Sequence, residues 1–407
     1  MRLLVLILMS TVTIAEAWSG NWNNGGKAKT NANHCIDETS RVKPTLGQLE
    51  MAFIGCFNRR FSYNGRLQID PSSSPLKLVI NSIDDEYLTK QMQTTGLVSY
   101  LLYRKGEIKK DAITPTDRLG GLIDHNTRLL SNSVGKSFTS YLLGHSICRG
   151  YIGSLDQTFA DWPLLANTLY ENERLGDAIN MNVGDSKYFA SHRVLFKNKW
   201  NKKGVNHEPI RYWVEALQGT SAPLFRSFNY SQFLSTAVMN YIAFKTGDGF
   251  ESLLREVYVE KAKIEQPMEV GYVDRGAFPE DGRLSNLVWA SRYDYLRIAI
   301  AMLNDWQSNN CVGQYLKEIY QKRVKGLPPS KPMRHMIFRH HHRYGRNYDY
   351  GGFCHMNVSD TNDNVFIMHG YGGQVIAINF DTGTIVVANS VHEDWDTARL
   401  VVDAVNQ

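Results

Sequence analysis

In the stretch "SNSVGKSF" (residues 131–138), Ser133 and Lys136 place a hydroxyl and an ammonium three residues apart. Residues i and i+3 share one face of a helix, so a lysine at this spacing can meet a serine Oγ and take its proton. That is the chemistry of acyl transfer to serine. The overlapping Gly135-Lys136-Ser137 suggests instead the end of a phosphate-binding loop. Such a loop needs a glycine five residues before Gly135, so that backbone amides surround the phosphate. Leu130 stands there, within "HNTRLL", and the phosphate-loop reading fails.

Ser-x-x-Lys by itself is weak, since about one or two matches are expected by chance in a chain of this length and composition. The sequence holds Ser40/Lys43, Ser74/Lys77 and Ser133/Lys136. Pro44 follows the first and Pro75 interrupts the second, both in loop-like sequence. After Ser133, the residues Val134, Phe138, Tyr141, Leu142 and Ile147 recur near helical period, and Gly150 is a stop signal. The third pair therefore opens a helix, predicted to be amphipathic. A serine there has backbone amides and the positive end of the helix dipole beside it, which suits a developing oxyanion. The competing role for the same residue is a simple helix cap.

The elements that must position this pair follow from the rest of the chain. "GLVSYLLYRKGEI" (96–108) predicts two strands joined at Lys105-Gly106. From Ser133 to about residue 325 the sequence is mostly helical, with "YSQFLSTAVMNYIAFKTG" and "ASRYDYLRIAIAMLNDW" as the clearest helices. "GGQVIAINF" and "GTIVVANS" predict strands around the turn at Asp381-Thr382-Gly383, and "EDWDTARLVVDAV" a closing helix. Strands at both ends around a helical middle predict an α+β fold: an antiparallel sheet from N- and C-terminal segments, flanked by helices, with a mostly helical subdomain inserted at about 137–325. Residues 18–75, rich in Asn, Gly and Ser, predict an extension with at most a helix around Leu46–Phe57. The expected organisation is residues 1–17 as a leader, 18–90 as an extension and 91–407 as the main domain.

At this point the residues resemble a known group. "LLSNSVGKSFTSYLLGHSICRGYIGSLDQTFADW" resembles the nucleophile helix and following segment of the serine β-lactamase and penicillin-recognising superfamily. The branch it is most similar to comprises class C β-lactamases, D-alanyl-D-alanine carboxypeptidases, and the esterases and 6-aminohexanoate-dimer hydrolases of that fold. The match runs from about residue 95 to the C-terminus. The resemblance implies Ser133 as nucleophile and Lys136 as its base. It implies Tyr230, in Tyr230-Ser231-Gln232, as a second proton carrier, with Gln232 where the family has Asn. The third family motif, Lys-Thr-Gly, occurs literally at Lys245-Thr246-Gly247, but there it closes a helix, with Gly247 as the stop. The strand expected to carry the motif reads "MHGYGGQVIAINF". If Gly370 takes the motif glycine, the Tyr371 amide is the second oxyanion donor; one alternative register makes it Gly373. Met368 and His369 stand where the family's substrate-gripping lysine is expected. The implied activity is hydrolysis of a small-molecule amide or ester, without metal or other cofactor. The alternatives are a non-catalytic penicillin-binding-like module for cell wall or ligand, and a true β-lactamase or D-alanyl-D-alanine peptidase.

Compartment and partners follow from composition. Arg2, the apolar run Leu3 to Ile14 and Ala15-Glu16-Ala17 read as a secretory leader cut before Trp18, so a periplasmic or secreted protein is expected. Five cysteines in an exported chain allow one or two disulfides with one thiol left over. Cys35 with Cys56 is the expected pair, while Cys148, inside a predicted helix, is expected as a buried free thiol. The net charge of +5 is spread along the chain and points to no nucleic-acid partner. No stretch after the leader is apolar enough to span a membrane. His335, His340, His341, His342 and His355 cluster in "HMIFRHHHRYGRNYDYGGFCH", but adjacent histidines on a strand face opposite ways and make a poor chelate. Asn229-Tyr230-Ser231 and Asn357-Val358-Ser359 match the glycosylation sequon.

Overall fold

The computed structural model describes residues 35–36, 42–57, 65–190, 193–194, 210–272, 284–327, 348–358 and 364–407. The leader, Ser40, and the histidines at 335 and 340–342 lie outside the described residues.

The chain ends meet in one large sheet. β3 (Leu97–Arg104) and β4 (Glu107–Ile113) form a hairpin whose turn residues, Lys105 and Gly106, both have positive φ, at 53° and 83°. That mirror-image turn matches the right-handed twist of the flanking strands. β2 (Val79–Ile80) lies parallel to β4. From the C-terminal part come β10 (Val324–Leu327), β11 (Tyr348–Gly351), β12 (Cys354–Met356), β13 (Val365–Gly370), β14 (Gln374–Asn379) and β15 (Thr384–Ser390). Among the described residues the order is β10-β11-β12-β13-β14-β15-β3-β4-β2. β15 pairs antiparallel with β3, Val386 facing Leu102, so the last strand joins the first hairpin across almost the whole sequence. β13, β14 and β15 are buried along their full length, which is why their apolar stretches, VFIM, VIAI and IVVA, do not alternate with polar residues.

In sequence, the helical part lies between the two segments that build this sheet. Its principal helices are preceded by α1 (Leu46–Ala52) and α2 (Glu86–Thr94), and comprise α3 (Val134–Cys148), α4 (Gln232–Thr246), α5 (Arg292–Ser308) and α6 (Cys311–Gln321). A second sheet orders β1 (Gly65–Ile69), β8 (Met268–Tyr272), β9 (Leu284–Ala290) and β5 (Leu129–Leu130), while β6 (Phe189–Ala190) and β7 (Arg193–Val194) make a small hairpin. The fold is α+β. The segment before residue 95 is built into it: β1 enters the second sheet, β2 the first, and α2 packs on β3 and β4.

α3 departs from the expected amphipathic pattern. Every residue from Val134 to Ser146 is buried, because α4, α6, β9 and β13 surround the helix. A helix buried on all sides carries no polar stripe. Its glycines mark the closest approaches. A Cβ on Gly135 would lie 1.9 Å from the Asn286 carbonyl oxygen of β9, and one on Gly144 2.5 Å from the Tyr315 ring of α6.

The expectation for Cys148 is corrected by the structure. Cys35 pairs with Cys56 as expected, but Cys148, at the C-terminus of α3, bonds Cys311, the first residue of α6. The remaining thiol is Cys354, which is buried on β12, with its pKa raised to about 12 by desolvation. The pairing was hidden because 163 residues separate the partners and only the packing of α6 beside α3 brings them together. Crosslinking so long a loop restricts the unfolded chain strongly. Replacing both cysteines by serine should therefore lower unfolding free energy by about 2–4 kcal/mol in urea titrations.

Candidate active site

The site forms where the N-terminus of α3 meets the end of β13. β5 pairs with β9, and Ser131 continues that contact: its amide donates to the Val288 carbonyl at 2.9 Å and its Oγ accepts from the Val288 amide at 3.0 Å. Asn132 then turns the chain with φ of 47°, a conformation that asparagine tolerates better than most residues. Ser133 opens α3, and the amides of Val134, Gly135 and Lys136 bond back to the carbonyls of Ser131, Asn132 and Ser133, each at 3.1 Å. The missing side chain of Gly135 lets this turn press against β9.

Ser133 sits at the cap position, yet its side chain makes no capping hydrogen bond to the helix amides. Its Oγ lies instead 3.1 Å from Lys136 Nζ. Lys136 is 1 % exposed, and desolvation lowers its pKa from the ordinary lysine value to about 7. Burial disfavours the ammonium, so the free amine is populated near neutral pH. The same Nζ donates to Oε1 of Gln232, the first residue of α4. Gln232 thus provides a side-chain amide acceptor for the lysine.

Tyr230 completes the cluster. Its hydroxyl is hydrogen-bonded to Ser133, and burial raises its pKa to about 12. Its ring stands 5.4 Å from Lys136 Nζ and meets Tyr350 of β11 edge-on, centroids 6.2 Å apart. The preceding residue anchors it: the Asn229 amide donates to the Met181 carbonyl at 2.8 Å and the Asn229 side chain to Asp185 at 2.6 Å. Ser231 caps α4 by accepting from the Phe233 amide. The first sequon asparagine is therefore already held by Asp185.

On the other side of Ser133 runs the end of β13. A Cβ on Gly370 would lie 2.6 Å from the Ser131 carbonyl oxygen and 3.0 Å from the Ser133 amide nitrogen, so only glycine allows the strand this close. Asn132 Nδ2 donates to the Tyr371 carbonyl at 2.9 Å, tying the turn before Ser133 to the strand end. Tyr371 thus follows directly on the glycine whose backbone passes beside the Ser133 amide. The Gly373 amide donates to the Gly370 carbonyl at 3.1 Å, inside the β13–β14 turn. That bond occupies the donor which the alternative register required.

The remaining candidates are placed as follows. His369 is buried, with Nε2 2.7 Å from Glu393 Oε1, and burial lowers its pKa. Met368 is fully buried. His355 is buried across from Ile367 of β13, its ring 6.4 Å from that of His369. Among the described residues no cluster of histidine, cysteine or acidic side chains could hold a metal ion, and no helix is long and apolar enough to cross a membrane. Lys245 lies at the far end of α4, paired with Asp161, and Gly247 follows with φ of 52°. Some thirteen residues of helix separate it from Gln232, roughly 20 Å. Lys245→Ala should therefore leave kcat and KM within about twofold of wild type and cost at most about 1 kcal/mol of stability. The sequence does not single out Asn132; an asparagine just before the candidate serine, able to take positive φ, is the available signal.

No protein-family model matches the chain, nor does any curated protein sequence. Solved structures do match. A Bacillus anthracis protein assigned as a 6-aminohexanoate-dimer hydrolase superposes with a TM-score of 0.60 at 13% identity, covering 84% of this chain and 91% of its own. EstCE1, a hydrolase with promiscuous acyltransferase activity, gives 0.54 at 12% identity, covering 79% and 99%. A class C β-lactamase solved with cefoxitin gives 0.50 at 11% identity, covering 78% and 95%. The fold of this chain is that of the serine β-lactamases and penicillin-binding proteins.

Proposed function

We propose that this chain is an exported serine hydrolase that cleaves a small ester or amide through an acyl-enzyme on Ser133. The observation that carries the reading is the Lys136 amine, buried and 3.1 Å from Ser133 Oγ, with its pKa lowered to about 7. Ser133 Oγ attacks the substrate carbonyl carbon as its proton passes to Lys136. The carbonyl π bond opens to an oxyanion held by the amides of Ser133 and Tyr371, the loss of one such donor costing about 3–4 kcal/mol at the transition state. When the intermediate collapses, the scissile bond breaks and the departing alcohol or amine takes a proton through Tyr230, which its raised pKa keeps protonated. Water then attacks the acyl carbon as its proton passes to Lys136, the bond from Ser133 Oγ to the acyl carbon breaks to release the carboxylic acid, and Lys136 returns the proton to Ser133 Oγ. Export is supported by the two disulfides, which persist in oxidising compartments.

The substrate class follows from the strand beside the nucleophile. A lysine gripping a substrate carboxylate there would supply a charge in a partly dry cleft. Here Met368 is fully buried and His369 faces Glu393, so that grip is missing while nucleophile and base remain. Recognition of a carboxylate should suffer more than the chemistry. Small esters and amides, including linear ω-amino-acid amides, are the expected substrates, in keeping with the names of the first two structures above. The test compares kcat/KM for p-nitrophenyl butyrate and a chromogenic cephalosporin. The ester should be preferred by about tenfold or more; a strong preference for the cephalosporin would make this a true β-lactamase.

A further inference from the structure

The oxyanion strand is held from two directions, and one of them is the N-terminal segment. From the nucleophile side, Asn132 grips the Tyr371 carbonyl. From the opposite direction, the Tyr371 hydroxyl donates to the Ile36 carbonyl, and the Phe57 ring stacks on the Tyr371 ring with centroids 6.1 Å apart and planes 13° from parallel. Phe57 also fills the space over Gly372, where a Cβ would come within 2.1 Å of the ring; Gly372 has φ of 78°. Ile36 and Phe57 are both buried, and each directly follows a cysteine of the Cys35–Cys56 bridge. One covalent link therefore ties together Ile36 and Phe57, which hold the Tyr371 side chain.

We propose that the Cys35–Cys56 bridge with its neighbours Ile36 and Phe57 is a positioning element for the oxyanion site, Ile36 and Phe57 fixing the Tyr371 amide relative to Ser133. The proposal rests on the catalytic reading above and deepens it. Neither residue touches the reacting atoms; both act through Tyr371. An oxyanion donor works only at hydrogen-bond distance from the place where charge develops, and a misplacement of about 1 Å can cost about 10²-fold in rate. Losing the Phe57 ring opens a gap against the residue next to that donor.

The test uses the full-length protein with Tyr371→Phe, Phe57→Ala, Phe57→Leu and the Cys35→Ser/Cys56→Ser double variant. Tyr371→Phe removes one oxygen and leaves amide and ring in place, so it decides the matter even where Phe57→Ala does not fold. The expected result is a fall in kcat for p-nitrophenyl butyrate of about tenfold or more, with KM within about threefold. Amide hydrogen exchange across residues 366–374 should quicken in parallel, and Phe57→Leu should restore most of both losses. Folded variants that melt earlier yet keep wild-type kcat and wild-type exchange would overturn the proposal and leave the segment as ordinary packing. A wild-type protein that hydrolyses no ester would instead sink the catalytic reading, and the exchange rates at 366–374 would still decide whether the segment holds the strand.

Discussion

Ser133→Ala is expected to lower ester turnover by a factor on the order of 10⁴–10⁶, the loss seen when a serine nucleophile is removed. Stability should barely change, for a structural reason. A serine that capped α3 would cost about 1 kcal/mol on replacement. Ser133 makes no capping bond through its side chain, and the turn is held by backbone hydrogen bonds that alanine preserves. Loss of activity with an unchanged melting temperature therefore separates the nucleophile from the cap. Ser74→Ala should be silent, since Ser74 is exposed. Substantial residual turnover in Ser133→Ala would place the chemistry elsewhere.

The second large effect is a pH profile. In the proposed mechanism Lys136 works as the free amine, and desolvation lowers its pKa from 10.5 to about 7. Activity should thus rise with pH through about 7, falling tenfold per unit on the acid side. Tyr230, with its pKa raised to about 12, keeps its proton throughout and stays able to donate. Lys136→Ala should abolish the acid limb and cut kcat by about 10²–10⁴-fold; Tyr230→Phe should cut kcat by a similar factor and keep the limb. The same shift has a consequence for stability. Between about 7 and 10.5 the unfolded chain binds a proton at Lys136 that the native state has released, so this group's contribution to stability rises with pH across that window. Below about 7 both states are charged and the native state bears the full cost of a buried ammonium. An acid limb that survives in Lys136→Ala would assign it to another group.

Much of this site was legible because its information is local. The two strands around Lys105-Gly106 follow from side-chain pattern and a turn that needs positive φ. Ser133 and Lys136 meet because one helical turn separates them. Gly247 ends α4, which separated the literal Lys-Thr-Gly from the strand near the nucleophile. What stayed hidden depends on how distant segments pack. α3 showed a stripe of large apolar residues, but its intervening glycines, serines and threonines are equally buried, since small residues admit neighbouring elements without advertising the contact. The partner of Cys148 is set by the place of α6 beside α3. Gln232 appeared as a departure from a motif, and only the folded geometry shows its carbonyl oxygen on Lys136. Nothing in the weakly patterned N-terminal stretch signals that Phe57 stacks on Tyr371.

In the proposed mechanism Ser133 is an activated nucleophile, and covalent labelling examines this directly. Incubating the folded protein with a fluorophosphonate, followed by intact mass and peptide mapping, tests it without knowledge of the natural substrate. A single adduct is expected on Ser133, formed faster as pH rises through about 7 and absent from Ser133→Ala. An adduct on another serine, or none on protein shown to be folded, would contradict it.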